Sequence, residues 1–203
     1  PRFELEHARR LCEEQGVELK VLPAQPLADE NVRQNGPLRC YYCKKQVFGA
    51  ILAAAKADGF EEIIDGTNAS DDASDRPGMR ALEEMRVYSP LRLCGVTKAQ
   101  VRQASRELGL FTWNKPAYAC LATRIPTGTA ITPEALQRVE AAENELFRLG
   151  FSDFRVRCVG DTAKLQLPAA QFSKALEQRK ELVKALKPQF AAVVLDLEPR
   201  GEE

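Results

Sequence analysis

The sequence has one histidine, His7, in 203 residues. That scarcity leaves little raw material for Ser-His-Asp or Cys-His arrangements and none for a multi-histidine metal centre. No apolar run approaches the roughly 18 residues a membrane span requires, and no signal-peptide h-region opens the chain. Net charge is missing as well: 29 Lys+Arg balance 29 Asp+Glu. A neutral chain has no broad field with which to grip nucleic acid or an anionic membrane, so neither is expected as a partner. The six cysteines stand in a long, signal-free chain, which suggests a reducing cytoplasm and free thiols instead of a disulfide scaffold. What is present, 44% hydrophobic and 29% charged residues, is the composition of a globular protein.

Hydrophobic periodicity organises the chain into two regimes. Leu5, Ala8 and Cys12 fall at helical spacing up to Gly16, and Val17 to Leu22 alternates as a strand does. A helix is predicted from about Arg39 to Asp58, a short strand over Phe60–Ile64, a helix over Arg76–Glu84 and a strand end over Val87–Leu91. Thr97 has the character of an N-cap for a helix closed by Gly109. Strands alternating with helices imply an α/β fold with a parallel sheet over residues 1–118. Residues 119–203 read as a smaller α+β domain. It should contain a helix over Pro133–Leu149, strands over Phe151–Arg157 and Ala163–Leu167, a helix over Ala169–Leu186 and a strand over Ala191–Leu197.

Four groups of residues carry chemistry. Gly66, Thr67, Asn68 and Asp71, with Asp72, follow a predicted strand end, where open α/β sheets bind ligands. Glycine allows close backbone approach, and the aspartates suit Mg²⁺ on a phosphate. A polar turn capping the next helix accounts for the same residues. Cys40-x-x-Cys43 opens a helix flanked by Arg39 and Lys44, a setting that favours thiolate. Redox chemistry, metal binding and simple burial all fit the pair. With Cys120, three thiols are available for a [4Fe–4S] cluster with one open iron. Cys12, Cys94 and Cys158 read as packing cysteines. Arg155-x-Arg157 places two guanidiniums on one face of a strand, suited to phosphate or carboxylate. Glu140 and Glu143 lie one turn apart on the preceding helix, where they could orient those arginines, bind a metal or face solvent.

Longer motifs run in order through the chain: Arg39-Cys40-Tyr41-Tyr42-Cys43-Lys44, Asp65-Gly66-Thr67-Asn68-Ala69, Arg76-Pro77-Gly78 and Ser89-Pro90-Leu91. Trp113-x-Lys115-Pro116-Ala117 leads into Ala119-Cys120-Leu121-Ala122-x-Arg124-Ile125-Pro126, and Arg155-Val156-Arg157 follows. Together they resemble the LarE family, ATP-dependent sulfur transferases of nickel-pincer cofactor synthesis within the PP-loop ATP pyrophosphatases. The resemblance implies an adenine nucleotide alpha hydrolase-like domain and a homo-oligomer. It implies ATP and Mg²⁺ at Gly66, Thr67, Asn68 and Asp71. A pyridinium biscarboxylic acid mononucleotide would be bound by Trp113, Arg124, Glu143, Arg155 and Arg157, with Cys120 as sulfur donor. Relatives that use a cluster imply the alternative ligand set Cys40, Cys43 and Cys120. Two departures are single residues: Ser70 stands where the family usually has the first of two acidic residues, and Thr123 replaces a serine, a mild change that keeps the hydroxyl. A third is larger. The family's N-terminal strand and its Ser-Gly-Gly-x-Asp-Ser loop are not in the sequence, so the chain is expected to begin inside the nucleotide-binding domain. Two rival functions stay open: an amidotransferase-like synthetase that needs no Cys120, and a truncated, non-catalytic paralogue.

Overall fold

The computed structural model describes residues 1–71 and 77–201. Asp72 and Arg76, both named above, lie outside the described residues. The chain divides into two compact units, Arg2–Lys115 and Pro116–Glu203, both mixing helix with extended chain.

In the first unit, α1 (Arg2–Glu14) closes on Gly16, whose φ of +63° is cheap only for glycine. The lone histidine serves packing here: His7 meets the rings of Phe3 and Phe111 edge-on, each centroid 5.6 Å away. Asp29 caps the short α2 (Glu30–Arg33) by accepting from the Asn31 amide at 2.8 Å. Next, α3 (Arg39–Ala57) packs against α4 (Pro77–Glu84), which buries Ala81 and Leu82. Tyr41 on α3 donates its hydroxyl to Glu84 at 2.7 Å, with the Arg80 guanidinium 4.1 Å above its ring. After α5 (Pro90–Leu93), α6 (Lys98–Glu107) starts at the predicted Thr97 cap. Thr97 and Gln100 form a full capping box.

Two strand predictions fail in this unit. Val17–Leu22 and Phe60–Ile64 form no strand, and the parallel sheet expected there is reduced to one isolated parallel bridge, Ile64 to Tyr88. Alternation supplies the two faces of a strand but not its partner, and a ladder needs a neighbour for its N–H and C=O groups. The apolar members of both segments lie open accordingly, with Val17 60% and Ile64 68% exposed.

The second unit does build a sheet. A 3-10 turn (Leu121–Arg124) precedes α7 (Pro133–Arg148), whose Thr132 cap accepts from the Ala135 amide at 3.1 Å. Strands β1 (Arg155–Val159) and β2 (Thr162–Gln166) form an antiparallel hairpin. The chain returns through α8 (Phe172–Glu177) and α9 (Arg179–Leu186) to β3 (Ala192–Leu195), which pairs parallel with β2. The sheet order is β1-β2-β3. The single helix expected over Ala169–Leu186 is divided: Gln178, at φ −91° and ψ 19°, separates α8 from α9, and no Pro or Gly marks the break.

The core of this unit lies between one sheet face and the helices. Val139, Ala142 and Leu146 on α7, Val156 on β1, Ala163 on β2 and Leu186 on α9 have no exposed surface. The opposite sheet face carries Arg155, Arg157, Lys164 and Gln166, as period-2 alternation requires. Among the described residues no helix is long and apolar enough to cross a membrane. Leu146→Ala should lower unfolding stability by about 2–5 kcal/mol, the cost of a cavity in a filled core, measured by urea denaturation.

Candidate functional site

The first unit holds a cavity of about 630 Å³ lined by Cys40, Lys44, Asp65, Gly66, Thr67, Asp71, Pro77, Gly78 and Met79. It forms where the Ile64–Tyr88 bridge ends: the Asp65 amide donates to the Tyr88 carbonyl at 2.9 Å, and the chain then turns. Asp65 organises that turn. It accepts from the Ser89 hydroxyl at 2.6 Å, the Thr67 hydroxyl at 2.6 Å and the Thr67 amide at 3.2 Å. Burial acts to raise its pKa, but the donors from Ser89 and Thr67 and the Lys44 charge outweigh it and hold the carboxyl below its usual range. Asn68 braces the loop instead of lining the cavity. Its amide and side chain both donate to Asp71, at 3.1 and 3.0 Å.

Cys40 and Lys44, four residues apart, project from one face of α3 into this cavity. A Cβ at Gly78 would lie 3.1 Å from both Cδ and Cε of Lys44, so glycine there makes room for the lysine stem. The Arg39 guanidinium donates to Cys40 Sγ at 3.4 Å. Within each unit, no three His, Cys, Asp or Glu side chains of the described residues gather as a metal site. The donor set does suit a nucleotide phosphate: one ammonium, glycine backbone at Gly66 and Gly78, a hydroxyl, and two carboxylates able to hold a hard cation. Trp113 stands elsewhere in this unit, under the Arg106 guanidinium 5.1 Å from its ring.

In the second unit the predicted residues Arg124, Glu143, Arg155 and Arg157 do come together. Glu143 occupies the buried stripe of α7, at 1% exposure, and Arg124 is fully buried. They form a two-pronged ion pair, Arg124 Nε to Glu143 Oε1 at 2.7 Å and Nη2 to Oε2 at 3.1 Å. Glu143 also accepts from the Val156 amide at 3.0 Å and from the Tyr118 hydroxyl. Arg124 Nη1 donates to the Ala119 carbonyl at 3.0 Å and the Thr123 hydroxyl at 2.9 Å. Burial, then the hydrogen bond and charge of Glu143, push the Tyr118 pKa far up, so the phenol remains a neutral donor. Both carboxylate oxygens of Glu143 thus accept from protein donors, an arrangement that ties the turn, α7 and β1 together.

Arg157 lies on β1 beside this pair. It donates from Nε to Gln166 at 2.8 Å and from Nη1 to the Thr123 carbonyl, tying the sheet to the turn after Cys120. Arg155 differs. It is 8% exposed, yet its guanidinium makes no hydrogen bond or ion pair among the described residues. Burial, with the charges of Arg124 and Arg200, pushes its pKa down to about 10, so it remains a cation at neutral pH at a cost that an incoming anion relieves. Cys120 is exposed at the start of the turn, its carbonyl accepting from the Thr123 amide at 2.9 Å and hydroxyl at 2.8 Å. Of the three expected packing cysteines, Cys158 is buried and Cys12 half-buried, but Cys94 is exposed: it ends the four-residue α5, too short a helix to cover it.

The sequence reading passed over Tyr118, Asp65 and Lys44 as site residues. A signal existed for Lys44, which shares the Cys40 face of α3. Tyr118 stands in an irregular segment where no periodicity applies.

Removing one member of the buried pair, as in Glu143→Ala, should destabilise the protein by about 3–5 kcal/mol in urea denaturation. The double substitution Arg124→Met/Glu143→Leu should recover much of that loss. Because Asp65 is held below its ordinary value of 3.8, its donors contribute stability above that pH, and the contribution disappears as pH falls through the lower folded value. Asp65→Asn should therefore flatten the acid limb of a stability-against-pH profile.

No protein-family model matches the chain. Among curated proteins it is 38% identical over 198 residues to an uncharacterised protein of Synechocystis, covering 96% of this chain and 74% of that one. It is 30% identical over 170 residues to an uncharacterised protein of Methanocaldococcus jannaschii, covering 83% of this chain and 66% of that one. A third relative has an assigned activity: the pyridinium-3,5-bisthiocarboxylic acid mononucleotide synthase of Lactiplantibacillus plantarum is 33% identical over 195 residues, 96% of this chain and 71% of the synthase. Identity of that level, sustained along nearly the whole chain, places the protein in the LarE family, to which that synthase belongs.

Proposed function

We propose that the protein is a sulfur transferase that converts a carboxylate of a pyridinium mononucleotide into a thiocarboxylate at the expense of ATP. The observation that carries this reading is Arg155, a residue 8% exposed whose guanidinium has no hydrogen-bond or ion-pair partner among the described residues, on the strand tied through Arg157 to the turn of Cys120. A buried cation without a counter-ion is matched by an anionic ligand group, and the L. plantarum relative is named for synthesis of a mononucleotide with two thiocarboxylic acid groups.

The chemistry follows from the weakness of a carboxylate as electrophile. A substrate carboxylate oxygen attacks the α-phosphorus of ATP, pyrophosphate leaves, and an acyl adenylate forms. The cavity of the first unit supports this half of the reaction. Lys44 would neutralise phosphate charge, the Gly66–Thr67 backbone would lie close to it, and Asp65 and Asp71 would hold Mg²⁺, which supplies further neutralisation when bound. The Cys120 thiolate then attacks the acyl carbon and AMP departs, leaving a thioester. Loss of the Cys120 α-proton to a base breaks the Cβ–Sγ bond. The thiocarboxylate leaves and dehydroalanine remains. Arg155 and Arg157 would hold the substrate's anionic groups, and Arg124 and Glu143 act through position, by fixing the turn and β1.

The Cys40-x-x-Cys43 motif supports a second reading. Cys40, Cys43 and Cys120 would hold a [4Fe–4S] cluster, and the sulfur would come from the cluster instead of Cys120.

Intact-protein mass spectrometry after turnover separates the two. Loss of the mass of H₂S at Cys120 is expected; unchanged mass together with bound iron and sulfide would establish the second reading. Cys120→Ala should form no thiocarboxylate yet still release pyrophosphate from ATP in the presence of the substrate. An active Cys120→Ala would point to an amide-forming synthetase.

A further inference from the structure

The sheet register brings a residue from the end of the chain to the corner occupied by Arg155. Arg155 stands directly opposite Gln166. The next residue, Leu167, accepts a hydrogen bond from the Arg200 amide at 2.8 Å, after Asp196 has bonded in the same way to Leu165 at 2.8 Å. The segment after β3 is therefore laid along the end of β2, and Arg200 enters beside the Arg155–Gln166 pair.

The Arg200 side chain turns inward and is only 12% exposed. Its Nε donates to Asp153 Oδ1 at 2.9 Å, and Asp153, at φ +47°, sits in the turn two residues before Arg155. That leaves the other two nitrogens of the fork available to a ligand. The charges do not balance. Arg155, Arg157 and Arg200 share this corner with Arg124 behind them. Glu143 is committed to Arg124 and Asp153 to Arg200, while Asp196 pairs with Lys164 at 2.8 Å and accepts from Gln166 at 2.9 Å. Arg200 adds to the strain on its neighbours, since after burial and Arg124 its charge lowers the pKa of both Arg155 and Arg157. The four guanidiniums and Lys164 face three carboxylates, which leaves a surplus of two positive charges and a receptor for more than one negative charge.

We propose, on the reading of the Arg155 corner as the substrate's anion site, that Arg200 is a third binding residue there and selects a phosphate dianion over a carboxylate. Asp153 holds the Arg200 fork in position through Nε. A carboxylate, with one charge and two oxygens, is served by Arg155 and Arg157. A phosphate monoester has the additional oxygen and charge that Arg200 meets.

The test is a phosphorus NMR titration of the full chain with inorganic phosphate, with acetate as competitor, and circular dichroism of each variant to confirm folding. Arg200→Gln should weaken phosphate binding about tenfold or more and leave acetate competition unchanged. Arg200→Lys should restore only part of the loss. Asp153→Asn, which keeps the cation, should bind phosphate at least half as well as wild type. If Arg200→Gln binds phosphate like wild type while Arg155→Gln does not, Arg200 has no such role and the anion site stands without it. If Asp153→Asn loses as much as Arg200→Gln, the pair is a structural latch and the inference is overturned. If the wild type binds no phosphate, the reading of the anion site fails as well.

Discussion

The second unit depends on one buried ion pair. Glu143 interrupts an otherwise apolar stripe on α7 and would be prohibitively placed if it stood alone, because a charge removed from water costs several kcal/mol. Arg124 answers it with two parallel hydrogen bonds, and Val156 and Tyr118 complete the coordination of the carboxylate. Three pieces of chain that also share the hydrophobic core are thereby pinned in one orientation: the turn after Cys120, the middle of α7 and the start of β1. A hydrophobic contact would hold them with less directional control. The two-pronged geometry fixes orientation, and orientation is what a reacting thiol and an anion site require of each other.

Around that pair the polar groups are arranged so that positive charge is left over. Arg124 is neutralised, and Arg157 is engaged with a carbonyl and an amide, neither of which cancels its charge. Arg155 has no hydrogen-bond or ion-pair partner among the described residues. The first unit is arranged differently. Asp65 is kept ionised by hydroxyl and amide donors and by Lys44 across the cavity. Positive charge is thus left uncompensated at the Arg155 corner, whereas the Asp65 carboxylate is already compensated by its donors.

Much of this was legible from the residues. The helices were, because α3, α6 and α7 combine periodicity with end signals, and Thr97 and Thr132 are caps of ordinary type. So was the shared face of Arg155 and Arg157, which needs only the two-residue period of a strand. The strands at Val17–Leu22 and Phe60–Ile64 were not, since alternation is a property of one segment and a ladder is a property of two. The division of α8 from α9 had no compositional mark. Glu143 was named as a candidate, but its role could have been sharpened from sequence alone: with Val139, Ala142 and Leu146 it falls at the spacing of a buried face, where a lone carboxylate demands a partner. Arg200 carries no such signal, because its place is set by the parallel return of β3.

Cys120 enters the architecture only through its main chain. Its carbonyl receives the Thr123 amide and hydroxyl, while its side chain lies at the surface. Loss of Sγ leaves every one of those bonds in place, and Arg124, Glu143 and Arg157 continue to hold the turn. On the proposed sacrificial route, a molecule that has surrendered its sulfur would therefore keep the carbonyl contacts and the ion pair that hold this turn, and its binding groups would outlast its single reacting atom.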